Sequence, residues 1–129
     1  MRFVWDPAKA TLNYMKHGVS FGDALTAFDD PAGLYIPDRD HPERGNLVGL
    51  SAATQLLFVV HVELLTEAPP ATRIISARRA SGPERSRYQA QFARHARTKI
   101  RHKRQIARGR RRASTPLQSK PRRRPHEEE

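Results

Sequence analysis

TRIISARRASGPERSRY, residues 72–88, changes character in its middle. Its first half is rich in β-branched residues and reads as a strand. Ser81 and Glu84 then stand in the S-x-x-E spacing of a capping box, which starts a helix. Arg78 and Arg79 fall at the join, where the chain turns back over its own sheet. Strict alternation along this strand puts Arg73, Ile75 and Ala77 on one face and Ile74, Ser76 and Arg78 on the other.

Upstream, Pro69 and Pro70 cannot sit inside a ladder, so TEAPPA (66–71) is a loop. Before it, NLVGLSA (46–52) and QLLFVVHVEL (55–64) read as two strands joined by a short turn near Ala53 and Thr54. DRDHPERG (38–45) is a polar loop, and GLYIP (33–37) a short strand or edge. RFVW (2–5) opens the chain as a strand. Asp6 is a good N-cap and Pro7 suits the first helical position, because its missing N–H costs nothing there. That helix runs to His17, and Gly18 follows as a residue able to take positive φ. Ala8, Leu12 and Met15 share one of its faces, while Lys9, Asn13 and Lys16 form a second stripe with His17 at its edge. Asn13 is a poor helix former there and needs a polar partner. Ser20 caps a second helix, with Asp23 at the capping-box position and Phe21, Ala24, Leu25 and Phe28 on its buried face.

The order is strand, two helices, a four-strand antiparallel meander and a last helix. It predicts an α+β domain, a small antiparallel sheet with the helices packed on one face. In the last helix Tyr88, Phe92, Ala96 and Ile100 recur every four residues. The segment from Arg108 onward has Gly, Ser, Pro and like charges, a composition that reads as disordered. The expected division is a domain over 1–92 and a basic extension over 93–129, helical at first. Charge supports it. Residues 93–129 hold 14 Lys and Arg against 3 acids and so carry the whole net charge of +11; residues 1–92 balance at 10 and 10.

The chain of 129 residues has no cysteine, which excludes disulfides and thiolate zinc sites. Its N-terminus does not read as a signal peptide, and its longest apolar run is too short to span a bilayer, so a soluble cytoplasmic protein is expected. No P-loop, G-x-S-x-G elbow or H-E-x-x-H pattern occurs, and neither a metal nor a cofactor is expected.

Several of these residues form a set. F-x-W-D from Phe3 to Asp6, Lys9, Asn13, the run K-H-G-V-S-F from Lys16 to Phe21, Phe28, Asp30, Gly49, I-I-S-A-R-R-A from Ile74 to Ala80 and E-R-x-x-Y from Glu84 to Tyr88 together resemble the BrnT family of bacterial toxins. The resemblance covers residues 3–88, about two thirds of the chain. It implies a RelE-like fold, an RNA substrate cleaved free or on the ribosome, and a cognate BrnA-type antitoxin. The ribbon-helix-helix part of that antitoxin would bring DNA in only indirectly. The TEAPPAT loop is longer than the family's usual connection, and the extension after about residue 93 has no counterpart in it.

RNA is cut when its own 2′-hydroxyl attacks the neighbouring phosphate, so the protein must position that phosphate, stabilise charge on its oxygens and assist proton movement. Arginine suits a phosphodiester, being planar, always charged and able to donate two parallel bonds. The candidate catalytic residues are therefore Arg78, Arg79 and Arg44, with His61 as proton carrier if it faces the open side of the sheet. The resemblance also suggests an arginine near position 44. Lys9, Lys16, His17 and Arg73 are the candidate RNA contacts. Each has an ordinary reading beside it. Either of Arg78 and Arg79 could pair with Glu84 or a helix acid, Arg44 could be a solvated loop charge, and His61 could be a satisfied strand histidine. Trp5, Phe3 and Tyr88 read first as packing residues. Two other functions stay open: a nucleic-acid binder driven by the basic extension, and a decayed toxin that keeps only antitoxin binding.

Overall fold

The computed structural model describes residues 2–114, the side chains of His102 and of residues 105–114 excepted. The chain divides into two units, Met1–Phe92 and Ala93–Glu129. The strands are β1 (Arg2–Val4), β2 (Leu34–Pro37), β3 (Arg44–Leu50), β4 (Leu56–Leu64) and β5 (Ala71–Arg79), and the helices α1 (Pro7–His17), α2 (Phe21–Thr26) and α3 (Gly82–Ser114). A 3-10 turn, Ala27–Asp29, extends α2.

The local punctuation acts as the residue types dictate. Asp6 accepts the Ala8 N–H at 2.9 Å, Pro7 takes the first helical position, and Gly18 ends α1 at φ 70°. Ser20 accepts the Asp23 N–H at 3.0 Å. The Ser81–Glu84 box is complete, since each side chain takes the other's backbone N–H, at 3.3 and 2.8 Å. The helix α3 runs to Ser114, past Arg108, where composition alone reads disorder. Arginine and alanine are good helix formers and continue it. The rest of that segment lies outside the described residues.

The meander β2-β3-β4-β5 is antiparallel as expected, but the sheet is mixed. Its order is β1-β5-β4-β3-β2, and β1 lies parallel to β5, Phe3 beside Thr72. Alternation in RFVW marks a strand but carries no direction, and α1 intervenes to make a parallel return possible. The helices are not confined to one face either. The face carrying Leu47, Leu57, Val59, Ile74 and Ala77 is packed by Val19, Phe21, Ala24 and Ala27, with Phe3, Trp5, Ala10, Leu25 and Phe28 around them. On the opposite face Tyr88 of α3 packs with Val48 and Leu56, beside Phe58 and Ile36. Gly49 is required on the first face, since a Cβ there would stand 2.8 Å from the Ala27 carbonyl oxygen.

Two further differences determine which side chains reach which surface. Of the polar stripe of α1 Asn13 alone turns fully inward, while Lys9 and Lys16 stay exposed. Asn13 is buried, whereas Leu12 and Met15, expected on a core face, are 64% and 75% exposed. The Asn13 amide explains the inversion. Its Nδ2 donates to the Val19 and Ala77 carbonyls at 3.1 and 2.8 Å, and its Oδ1 accepts the Ala77 N–H at 3.1 Å. A side chain thus serves Ala77 as a neighbouring strand would, beyond the point where the short β1 has stopped pairing with β5.

The second difference is a bulge in β5. Val60 pairs with Ser76 but His61 pairs with Ile74, so Ile75 is an extra residue. Beyond it the alternation resets, and Ile74 and Ala77, three apart, both enter the helix-covered core.

Candidate functional site

The bulge decides which arginines meet. Arg73 and Arg78 are five apart and would face opposite ways along a regular strand. Their partners on β4, Val62 and Phe58, are four apart, so both arginines share one face. Arg44, placed by its sequence in the preceding loop, is the first residue of β3, and it too pairs with Val62.

Three rows therefore cross this face. Arg44, Val62 and Arg73 form the first; Asn46, Val60 and Ser76 the second; Val48, Phe58 and Arg78 the third. Strand spacing puts the Arg44 and Arg73 backbones about 10 Å apart, with rows about 7 Å apart. Along β4 the side chains of this face, Phe58, Val60 and Val62, are half-buried, while Leu57, Val59 and His61 on the other are buried.

The three arginines are held differently. Arg73 is exposed and in no ion pair among the described residues. The Nε of Arg44 lies 3.8 Å from the exposed Glu43 carboxylate, a loose pair that competes weakly with a ligand. Arg78 is clamped. Its two terminal nitrogens donate to the two oxygens of Glu84 at 2.8 Å each, one also donates to the Arg79 carbonyl at 3.1 Å, and the guanidinium lies 4.1 Å from the centre of the Phe58 ring. The Glu84 hydrogen bonds raise the Arg78 pKa further. Burial alone would raise that of Glu84, but the Arg78 and Ser81 hydrogen bonds and the Arg78 charge outweigh it and hold the carboxyl below its ordinary value.

Tyr88 closes one end of this face. Its hydroxyl donates to Asp30 at 2.6 Å, and burial followed by this carboxylate raises its pKa well above the ordinary tyrosine value. Asp30 also accepts the Leu50 and Ala32 N–H groups, so Tyr88 docks on a fixed acceptor.

The other sequence candidates lie elsewhere. His61 does not face the open side. It is 4% exposed on the helix-covered face, its ring 5.0 Å from that of Phe28 and 6.0 Å from that of Tyr35. Burial lowers its pKa, against smaller opposing effects from the Val59 carbonyl and Glu63. The face it occupies removes the premise on which it was a proton carrier. Arg79 pairs with Leu57, and alternation directs it away from the three arginines. Lys9, Lys16 and His17 belong to α1, in the layer on the far side of the sheet from Arg44, Arg73 and Arg78.

Asn46 and Ser76 join the face without a sequence motif to announce them. Alternation from Arg44 points to Asn46, whose buried Oδ1 has no hydrogen-bond partner among the described residues. Ser76 is hidden by the bulge. Among the described residues no group of three or more His, Asp or Glu is placed to hold a metal ion, and no helix is long and apolar enough to cross a membrane. The face presents three arginines from strand positions at fixed backbone spacing, an arrangement suited to successive phosphate groups.

The family model described as "Ribonuclease toxin, BrnT, of type II toxin-antitoxin system" matches residues 5–84, which include all three arginines and Glu84. Among solved structures the chain is similar to the 1.1 Å crystal structure of the Brucella abortus ribonuclease toxin BrnT. The two share 25% sequence identity with a TM-score of 0.51, over 63% of this chain and 97% of that one. No curated protein matches the chain.

Proposed function

This chain belongs to the BrnT family of ribonuclease toxins of type II toxin–antitoxin systems, and from that premise we propose that it is an endoribonuclease whose substrate-contacting face is the arginine-bearing face of the sheet. The observation that carries the reading is the register: Arg44 and Arg73 flank the same Val62, and the β5 bulge brings Arg78 onto their side.

In this reading the 2′-oxygen bonds to phosphorus and the bond to the 5′-oxygen breaks, leaving a 2′,3′-cyclic phosphate and a 5′-hydroxyl. Negative charge builds on the non-bridging oxygens as the 2′-oxygen attacks, and guanidinium donors directed at them stabilise it. Arg44 and Arg73 are the phosphate-contacting groups. Arg78, locked by Glu84, offers its remaining N–H groups from a fixed position. The Glu84 carboxylate is held by Arg78 and the Ser81 N–H, so the 2′-hydroxyl proton passes to solvent and the leaving 5′-oxygen takes up a proton from solvent. The arginines supply the charge a metal ion would otherwise provide, and the reaction is metal-independent. RNA cleavage in the cytoplasm arrests translation and growth until a BrnA-type antitoxin neutralises the chain, and DNA is engaged only through that antitoxin. A meander with two helices on one face and a third following it is in keeping with a RelE-like fold.

Arg44→Ala and Arg73→Ala test the reading. Each should lower the cleavage rate by about 10²-fold, the scale of losing one donor to a developing oxyanion, with an unchanged melting temperature. Cleavage within twofold of the parent for both folded variants would assign the chemistry to another surface.

A further inference from the structure

A helix that buries its asparagine and exposes its leucine and methionine needs a reason. On α1, Leu12, Tyr14 and Met15 are 64%, 58% and 75% exposed. Tyr14 and Met15 line an open groove of about 370 Å³ together with Trp5, Ala10, Thr11 and Phe21 among others, and Leu12, three residues before Met15, stands outside it on the Met15 side. The Asn13 amide turns these positions outward, but nothing in the fold of residues 2–92 requires them to be apolar. Asn13 and Ala10 are enough to seat α1 on the sheet and core. An apolar patch continuous with a groove marks an interaction surface.

Charge narrows the occupant. The helix α1 carries no acid, and its cations Lys9 and Lys16 are in no ion pair among the described residues. They stand three residues before and four after Leu12, flanking it along the helix surface. The matching ligand has apolar side chains at helical spacing with acids beside them. A second copy packed about a two-fold axis would set lysines against lysines, and the residue 93–129 segment, with 14 Lys and Arg, has the wrong sign.

We propose that the α1–α2 groove is the docking site of the antitoxin, which places an acidic amphipathic segment there with its apolar side against Trp5, Tyr14 and Met15 and its edge over Leu12 and the lysines. The inference rests on the toxin reading and adds to it a location for the partner. Its consequence is that neutralisation starts from the far side of the sheet. The antitoxin then either reaches round to the arginine face or acts by occupying α1, and the residues of its docking site are not those that contact RNA.

The test uses the full-length chain and the purified antitoxin encoded with it, measuring affinity by calorimetry, self-association by sedimentation and RNA cleavage in parallel. Met15→Glu should weaken antitoxin binding at least tenfold, the scale of losing a central apolar contact, and Leu12→Glu, at the edge of the site, by less, with cleavage and melting temperature unchanged in both. If either glutamate variant fails to fold, Leu12→Ala and Met15→Ala carry the same comparison. Antitoxin affinity unchanged in folded variants would overturn the docking site and leave the toxin reading standing. Failure of the parent chain to bind antitoxin at all would remove both. Self-association of the parent that the variants abolish, with antitoxin affinity intact, would give the groove to a second copy. Loss of cleavage with antitoxin affinity intact would give it to RNA. Either of these would also overturn the proposal.

Discussion

Leu57 and Phe58 are neighbours on one strand, yet they belong to different environments. Leu57, like Val59 two residues on, is wholly buried beneath α1, α2 and the 3-10 turn. Phe58 and Val60 keep part of their surface and have arginine, asparagine and serine for cross-strand partners. The first face is made of shape. Its histidine, His61, is shut in with Phe28 and Tyr35. The second is made of charge carried at fixed backbone spacing. Stability should depend mainly on the first and RNA chemistry mainly on the second, with Arg78 and Glu84 contributing to both.

The largest effect on stability should come from Asn13→Ala. It leaves the Ala77 N–H and carbonyl without their partner in a buried setting, at a cost of about 3 kcal/mol. In a domain of this size the melting temperature should fall by about 15 °C, while the folded fraction still cleaves RNA. A drop of under a few degrees in a thermal melt would mean that water replaces the amide freely.

Glu84 comes next, at the boundary between the two faces. Glu84→Ala removes both the Arg78 pair and the reciprocal cap, about 2 kcal/mol after allowance for the partly exposed arginine. Glu84→Gln keeps the cap geometry and should cost about half that. Because the folded-state pKa of Glu84 is depressed, its contribution is present above its ordinary value of 4.5 and is lost as pH falls through the lower folded value. Urea titrations of parent and Glu84→Gln should therefore converge in acid. Curves that stay parallel down to the lowest pH would show that the pair contributes little.

The smallest effect belongs to His61. Its folded pKa is depressed, so as pH falls below 6.5 the unfolded chain takes up a proton that the folded chain refuses. Stability should decline from that point, and His61→Phe should remove that part of the slope without abolishing cleavage. A cleavage rate reduced a hundredfold in folded His61→Phe would return the histidine to the chemistry and erase the distinction between the faces.

Local signals made part of this legible in the sequence. Asp6, Pro7, Gly18 and the Ser81–Glu84 box act within a few residues of themselves, so their elements could be read directly. The need of Asn13 for a backbone partner was legible too, because an amide in mid-helix is costly unless satisfied. The partner itself was not, since Ala77 lies 64 residues away. Period-two alternation sorted His61 from its neighbours but could not say which face the helices cover. It failed outright past Ile75, where one extra residue reverses every later side chain and brings Arg78 to Arg73 and Arg44. The apolar stripe of α1 misled for a related reason. Leu12 and Met15 look like a core face, and only the tertiary bond of Asn13 turns them outward.

The division of labour between the faces is tested most directly by mapping where RNA sits. Backbone amide shifts of the ¹⁵N-labelled chain should be recorded during titration with a short 2′-O-methyl oligoribonucleotide, which binds but cannot be cleaved. Perturbations concentrated at Arg44, Asn46, Val60, Val62, Arg73 and Ser76 are the expected result. Perturbations concentrated at Lys9, Lys16 and Arg79, with the three rows silent, would contradict it.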